Sequence, residues 1–293
     1  KILVRGKDAY GLLDRLTANK MPQKNGAITL THMLNRRGRI ELETTIFKNA
    51  DQSYYLVCAA FFEQRLFDHL MQNKQDEDVS IKSLSDSWSA LALNGPYARD
   101  VLSACTDGSL DNKNFRWLTG QTITIAGHDV WALRMSYAGE LGWELHMPNE
   151  ACVDVYNALT AAGAPLGLTD YGSFAMNVLR MEKAFKGASE LTNEVTLPEA
   201  DVMRFVSTEK GYLGKDETLA NADNLPWICA YLEIKPDGKT DGHGGEAVLL
   251  DGKVVGSTAS VVFSPTVNKI LAFAYIKPDA AIPGTQLEVI IAG

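Results

Sequence analysis

The chain runs to 293 residues, 46% of them hydrophobic and 22% charged, with a formal net charge of -8. That length exceeds what one hydrophobic core usually organises and suits two or three lobes. The acidic balance argues against nucleic acid as a partner, since no surplus of Lys and Arg neutralises phosphates, though a small basic pocket for an anionic ligand remains compatible with it; no apolar run approaches the roughly 20 residues that span a bilayer, so no membrane partner is expected either.

In chain order, residues 1–5 read as a strand and 7–19 as a helix with Ala9, Leu12, Leu13 and Leu16 on one face. Residues 27–34 and 39–48 read as strands joined across a turn at Asn35-Arg36-Arg37-Gly38. A strand over 53–58 precedes an amphipathic helix over 61–74, with Phe62, Leu66 and Leu70 in line. Strand character returns at Ile81 and over Trp88 to Leu93, and a short helix follows Asn94-Gly95-Pro96, where proline suits a first helical turn. Further strands are expected at 121–125, 129–136 and 143–147, and helices at 150–162 and 170–186. From about residue 226 the pattern becomes all-β, with strands at 227–234, 246–250, 253–262, 270–275 and 286–291 between Gly, Pro, Asp and Asn turns. A boundary at 215/216 divides a mixed α/β region, 1–215, from a β module, 216–293. Helices and strands alternate too irregularly for a doubly wound sheet, so the expected class is α+β.

The cysteines, Cys58, Cys105, Cys152 and Cys229, are far apart and form no C-x-x-C pair, which reads as reduced thiols in a reducing compartment. The histidines show no metal-ligand spacing, and no metal is expected. Dinucleotide, Walker A and G-x-S-x-G motifs are absent. Lys1 opens directly into Ile2-Leu3-Val4, which suggests that further residues, or whole domains, precede it.

Four segments could carry chemistry. Alternation along 38–47 puts Glu41, Glu43, Thr45 and Phe47 on one strand face, which by itself reads as well as a solvated outer face. Ser136 to Leu145 crowds two acidic and two aromatic residues around Gly139 and Gly142, either a ligand loop or an ordinary turn. In 179–185, Arg180 and Glu182 lie two apart and so point to different helix faces, as surface charges also do. Ser260 to Pro265 reads as a strand ending at a proline.

Together these segments carry a resemblance. Tyr137-Ala138-Gly139-Glu140-Leu141-Gly142-Trp143-Glu144 resembles the folate-domain signature of the dimethylglycine and sarcosine dehydrogenase family, of which the glycine-cleavage T-protein has a related form with Asp before the second glycine. The Leu179 to Phe185 segment followed by Glu190 to Ala200 looks like the dehydrogenase version, and Gly6-Lys7-Asp8-Ala9, Asn94 to Arg99, Gly214-Lys215 and Phe263-Ser264-Pro265 also fit family positions. The likeness spans nearly the whole chain in order.

It implies a three-lobed T-protein-like fold around a central opening that binds folate, the third lobe being a carboxy-terminal β-barrel module. It implies one-carbon transfer to tetrahydrofolate, which traps an iminium, formaldehyde or aminomethyl group as 5,10-methylenetetrahydrofolate. Glu43 stands where the family's catalytic carboxylate, usually Asp, is found. Glu144 matches the acid that holds the pterin, a job that suits a carboxylate because the pterin edge offers an N–H and an amino group side by side. Tyr137 matches a pocket-lining tyrosine, and Arg180 an arginine able to hold a carboxylate of folate or substrate. Leu30, Phe47 and Trp143 complete the expected cofactor contacts. Glu43 and Glu144 are expected to line one hole.

Three positions depart from the pattern: Glu43 is a methylene longer than Asp, Leu30 replaces a tyrosine of some members, and Ala59 replaces a T-protein asparagine that contacts the pterin. The last argues against a dedicated T-protein. Implied partners are tetrahydrofolate, a small methylated amine or its iminium, and an FAD-containing upstream domain or subunit; cytoplasm and mitochondrial matrix are both compatible. Two alternatives stay open, a demethylase that moves a methyl group from an N-, S- or O-methyl donor to folate, and a folate-binding or assembly module without catalysis.

Overall fold

The computed structural model describes residues 1–220, 222–236 and 242–291. The chain divides into two compact units, one formed by Lys1–Thr31 with Thr44–Tyr171 and the other by His32–Glu43 with Gly172–Gly293.

The first unit holds β1 (Ile2–Arg5), α1 (Ala9–Leu16), β4 (Tyr54–Val57), α2 (Glu63–Asn73), β5 (Ser80–Ser83), β6 (Trp88–Asn94), α3 (Ala98–Ser103), β7 (Gly120–Ile125), β8 (His128–Leu133), β9 (Gly142–Pro148) and α4 (Cys152–Gly163). The hairpin strands β2 (Ile28–Leu34) and β3 (Ile40–Lys48) pass from one unit to the other. One sheet runs β2-β3-β4-β1-β5 and a second β6-β9-β8-β7. Between them lie Leu3, Ile28, Phe47, Tyr55, Leu84 and Leu133, joined by Trp88 and Trp131. The other face of the second sheet is covered by α3 and α4 through Val101, Leu102, Val155 and Leu159, which bury Trp143, Leu145 and Met147.

The alternation expected along β3 holds: Thr45 pairs with Val57 and Phe47 with Tyr55. Its outer-face alternative does not hold at that end, because the second sheet covers Phe47, Thr45 is buried, and Leu42, Thr44 and Ile46 are buried as well. A strand buried on both faces loses the polar side that a one-sided sheet shows.

The second unit holds α5 (Ser173–Glu182), α6 (Lys215–Leu219), β10 (Ile228–Ile234), β11 (Ala247–Leu250), β12 (Lys253–Ser264), β13 (Lys269–Ile276) and β14 (Glu288–Ile290). Its strands form an antiparallel sheet in the order β10-β13-β12-β11-β14. Met181 of α5 packs on it against Cys229, Leu271 and Phe273. The helix expected over 170–186 is shorter: Lys183 caps it, Ala184 takes a left-handed φ of 52°, and the Phe185 N–H donates to the Arg180 carbonyl. A register shift between Thr258 and Ser260 leaves Ala259 as an extra residue in β12, a bulge that re-aims Ser260. Mixed helix and sheet with an all-β carboxy-terminal part is the α+β class that the sequence implied. Among the described residues, no helix is long and apolar enough to cross a membrane.

Candidate functional site

In the first unit the Gly-rich signature feeds β9, an inner strand flanked by β6 and β8. Where β9 begins, only glycine fits: a Cβ on Gly142 would lie 2.2 Å from Asn94 Oδ1 and 2.7 Å from the Leu93 carbonyl. Strand alternation then sends Trp143, Leu145 and Met147 toward the helices and Glu144 and His146 to the opposite face. There Glu144 lies across from Ala92 and Leu133, and His146 across from Ala90 and Trp131.

His146 is 1% exposed, edge-on to the Tyr55 ring at 5.4 Å between centroids. Tyr55 Oη is 3.0 Å from His146 Nδ1, and His146 Nε2 is 3.3 Å from Glu144 Oε2. Burial, and after it the Glu144 charge, push the Tyr55 phenol well above its ordinary range, so it keeps its proton. Tyr55 also meets Trp131 edge-on at 5.2 Å, and Trp131 packs on Trp88 at 4.3 Å. Glu144 has its side chain 23% exposed, beside the exposed Ala90 and Ala92. It is a half-buried acid held on one oxygen by an imidazole, next to a floor of small side chains.

In the second unit the β2–β3 tip carries Glu43. Here Gly38 has a left-handed φ of +70° and sits so close to α6 that a Cβ would lie 2.2 Å from the Thr218 nitrogen. The Ile40 N–H donates to the Val195 carbonyl at 2.9 Å, and Arg39 bridges Thr196. The Glu43 side chain is 28% exposed, and its Oε1 lies 3.2 Å from Nε2 of the fully buried His32, whose ring lies 6.2 Å from that of Phe205. A carboxylate there has an imidazole beside it and an open side.

Arg180 behaves differently from a ligand-facing arginine. It is 3% exposed, and its guanidinium donates to Glu190 Oε2 at 2.9 Å, Ser260 Oγ at 2.9 Å, Asn177 Oδ1 at 2.9 Å and the Phe185 carbonyl at 2.8 Å. Glu190, fully buried, also accepts from the Gly187 N–H at 2.7 Å. The carboxylate this arginine holds is the chain's own. The bulge in β12 is what delivers Ser260 to it.

The other sequence-derived residues separate by burial. Tyr137 is exposed, in the loop before β9. Leu30 is half-buried on β2, with its carbonyl accepting from Asn19. Trp143 is 0% exposed, edge-on to Phe115 and near the Arg99 and Arg134 guanidiniums, and Phe47 lies between the two sheets. Neither has surface to offer a ligand, and both act by packing. Ala59 is exposed at the end of β4. Reading the sequence passed over Tyr55, His146 and His32. For His146 the signal was available: in Glu144-Leu145-His146, alternation places the histidine beside the acid. Among the described residues, no group of His, Cys, Asp and Glu could hold a metal ion.

Residues 1–210 match the GCVT N-terminal domain, and residues 229–293 match the glycine cleavage T-protein C-terminal barrel domain. The chain is 34% identical over 299 residues to the mitochondrial dimethylglycine dehydrogenase of Homo sapiens, an alignment that covers 100% of this chain and 34% of that protein. It therefore spans about a third of the length of those dehydrogenases. It is 32% identical over 295 residues to an aminomethyltransferase of Caldanaerobacter subterraneus subsp. tengcongensis, covering 99% of this chain and 78% of that one. Among solved structures it matches glycine cleavage system aminomethyltransferase T from Bartonella henselae with a TM-score of 0.87, over 100% of this chain and 80% of that chain; at 21% identity the match establishes the fold.

Proposed function

The chain belongs to the glycine cleavage T-protein family, and from that premise we propose that it is a tetrahydrofolate-dependent one-carbon transferase. Glu144 carries the reading. Its Oε2 is held by His146, and among the described residues Oε1 has no protein partner, so a pair of adjacent N–H donors on a flat heterocycle has two acceptor atoms to meet. The exposed Ala90 and Ala92 beside it leave space for a ring. Tyr137, exposed in the same signature, adds an aromatic face.

Glu43 is assigned the proton work. As two new C–N bonds form to an iminium or formaldehyde carbon, the attacking nitrogens shed protons and the amine or water leaves. A half-exposed carboxylate accepts such a proton and stabilises the cationic character that precedes its loss. Arg180 contributes by clamping α5 to β12 through Glu190 and Ser260. The folate-binding region is assigned to 1–215 and the β module to 216–293.

Tetrahydrofolate supplies the acceptor nitrogens. An iminium made by a flavin-dependent partner, with FAD bound outside this chain, is the substrate that fits a likeness to dimethylglycine dehydrogenases, with the mitochondrial matrix or the cytoplasm as the setting. The test is product analysis with tetrahydrofolate and either formaldehyde or an aminomethyl donor. The reading expects 5,10-methylenetetrahydrofolate; 5-methyltetrahydrofolate from a methyl donor would make the chain a demethylase, and unmodified folate a binding module.

A further inference from the structure

Two buried polar groups stand behind Glu144: His146, which holds its Oε2, and Tyr55, which has no part in the chemistry above. Tyr55 comes from β4 of the first sheet and His146 from β9 of the second, and they meet between the two sheets. The geometry points to a one-way relay, Tyr55 to His146 to Glu144, in which Tyr55 and His146 are positioning residues that aim the Glu144 carboxylate at the pterin. This inference rests on the folate reading.

The direction follows from what each atom can do. An ionised carboxylate only accepts, so the nitrogen facing Glu144 Oε2, Nε2, carries the hydrogen. In the neutral ring Nδ1 is then a bare acceptor, and the atom beside it is the Tyr55 phenol oxygen at 3.0 Å. The buried phenol holds its proton and donates it. Each group thus has one role, and the tyrosine fixes which tautomer the imidazole presents. The 3.3 Å from Nε2 to Oε2 is long for such a bond, and catalytic hydrogen bonds commonly tighten on ligand binding. The edge-on contact with Trp131, itself packed on Trp88, keeps Tyr55 from swinging away. A residue present for packing alone would need neither nitrogen.

Calorimetric titration of tetrahydrofolate into the chain separates relay from packing, with thermal melts reporting the fold. His146→Leu keeps bulk and removes both nitrogens; binding should weaken by about tenfold or more, the worth of a hydrogen bond to a charged group. His146→Gln, which sets an amide N–H near the place of Nε2, should stay within about threefold of the native chain. Tyr55→Phe keeps the ring, removes only the oxygen, and should cost about three- to tenfold. It carries the test if His146→Leu does not fold. In a Glu144→Gln background the His146→Leu change should cost little more, because both act on one contact. Nitrogen-15 spectra should show His146 as the Nε2–H tautomer in the native chain and a mixture in Tyr55→Phe. Unchanged binding by His146→Leu or Tyr55→Phe, or additive losses in the double variant, would overturn the relay while leaving the folate reading intact. A native chain that binds no tetrahydrofolate would overturn the folate reading, and the relay's role with it.

Discussion

Glu190→Gln tests whether Arg180 is an internal clamp or a ligand arm. The substitution keeps the shape of the side chain and removes its charge. Arg180 is 3% exposed and Glu190 fully buried, so solvent screens the remaining guanidinium very little. Breaking such a pair by neutralising one partner costs about 3–5 kcal/mol, because the other charge is left uncompensated. At about 2–4 °C per kcal/mol for a domain of this size, the melting temperature should fall by about 6–20 °C. Replacing both residues with apolar ones, Arg180→Met with Glu190→Leu, should recover part of that loss, since no orphan charge remains, though Ser260, Asn177 and the Phe185 carbonyl lose a donor. The assay is paired thermal and urea unfolding of the native chain, the single and the double variant. A melting temperature within 2 °C of native for Glu190→Gln, joined to a large loss of folate binding, would refute the clamp and return Arg180 to the ligand.

Glu43→Gln should bind tetrahydrofolate about as well as the native chain while slowing transfer by about a hundredfold or more, as loss of a general base does; single-turnover kinetics would show this, and unchanged turnover removes Glu43 from the mechanism. Gly142→Ala puts a methyl 2.2 Å from Asn94 Oδ1 and should destabilise by about 1–3 kcal/mol, read by urea unfolding. Burial pushes the Cys58 thiol up to about 11 and the Cys229 thiol up to about 12. Because the folded chain then retains protons that the unfolded chain releases, stability should be full below about pH 9 and decline toward pH 12, and Cys229→Ala should flatten that decline in melts taken across the range.

Much of this was legible in the residues. The period of two along β3 put Thr45 and Phe47 on one face, as their pairing with β4 has them, and the change to short strands after residue 226 marked an all-β part. What the sequence could not show was which faces would be covered. Phe47 and Trp143 sit in promising segments, yet one faces a second sheet formed by later parts of the chain and the other faces α3 and α4, and only α4 lies close to its residue in the chain. Arg180 looked like a surface charge or a ligand arm because the turn that ends α5 is what brings Glu190 back to it, and Ser260 reaches it from a bulge 80 residues away. The Tyr55–His146 bond joins residues 91 apart, a pairing that only the stacking of two sheets creates.

The central claim is that Glu144 grips the paired donors of the folate ring. Calorimetry of tetrahydrofolate with the native chain and with Glu144→Gln tests it most directly. The account predicts saturable binding by the native chain and a loss of about ten- to a hundredfold in the variant, whose amide turns one acceptor into a donor. Equal affinity in the two proteins would contradict it.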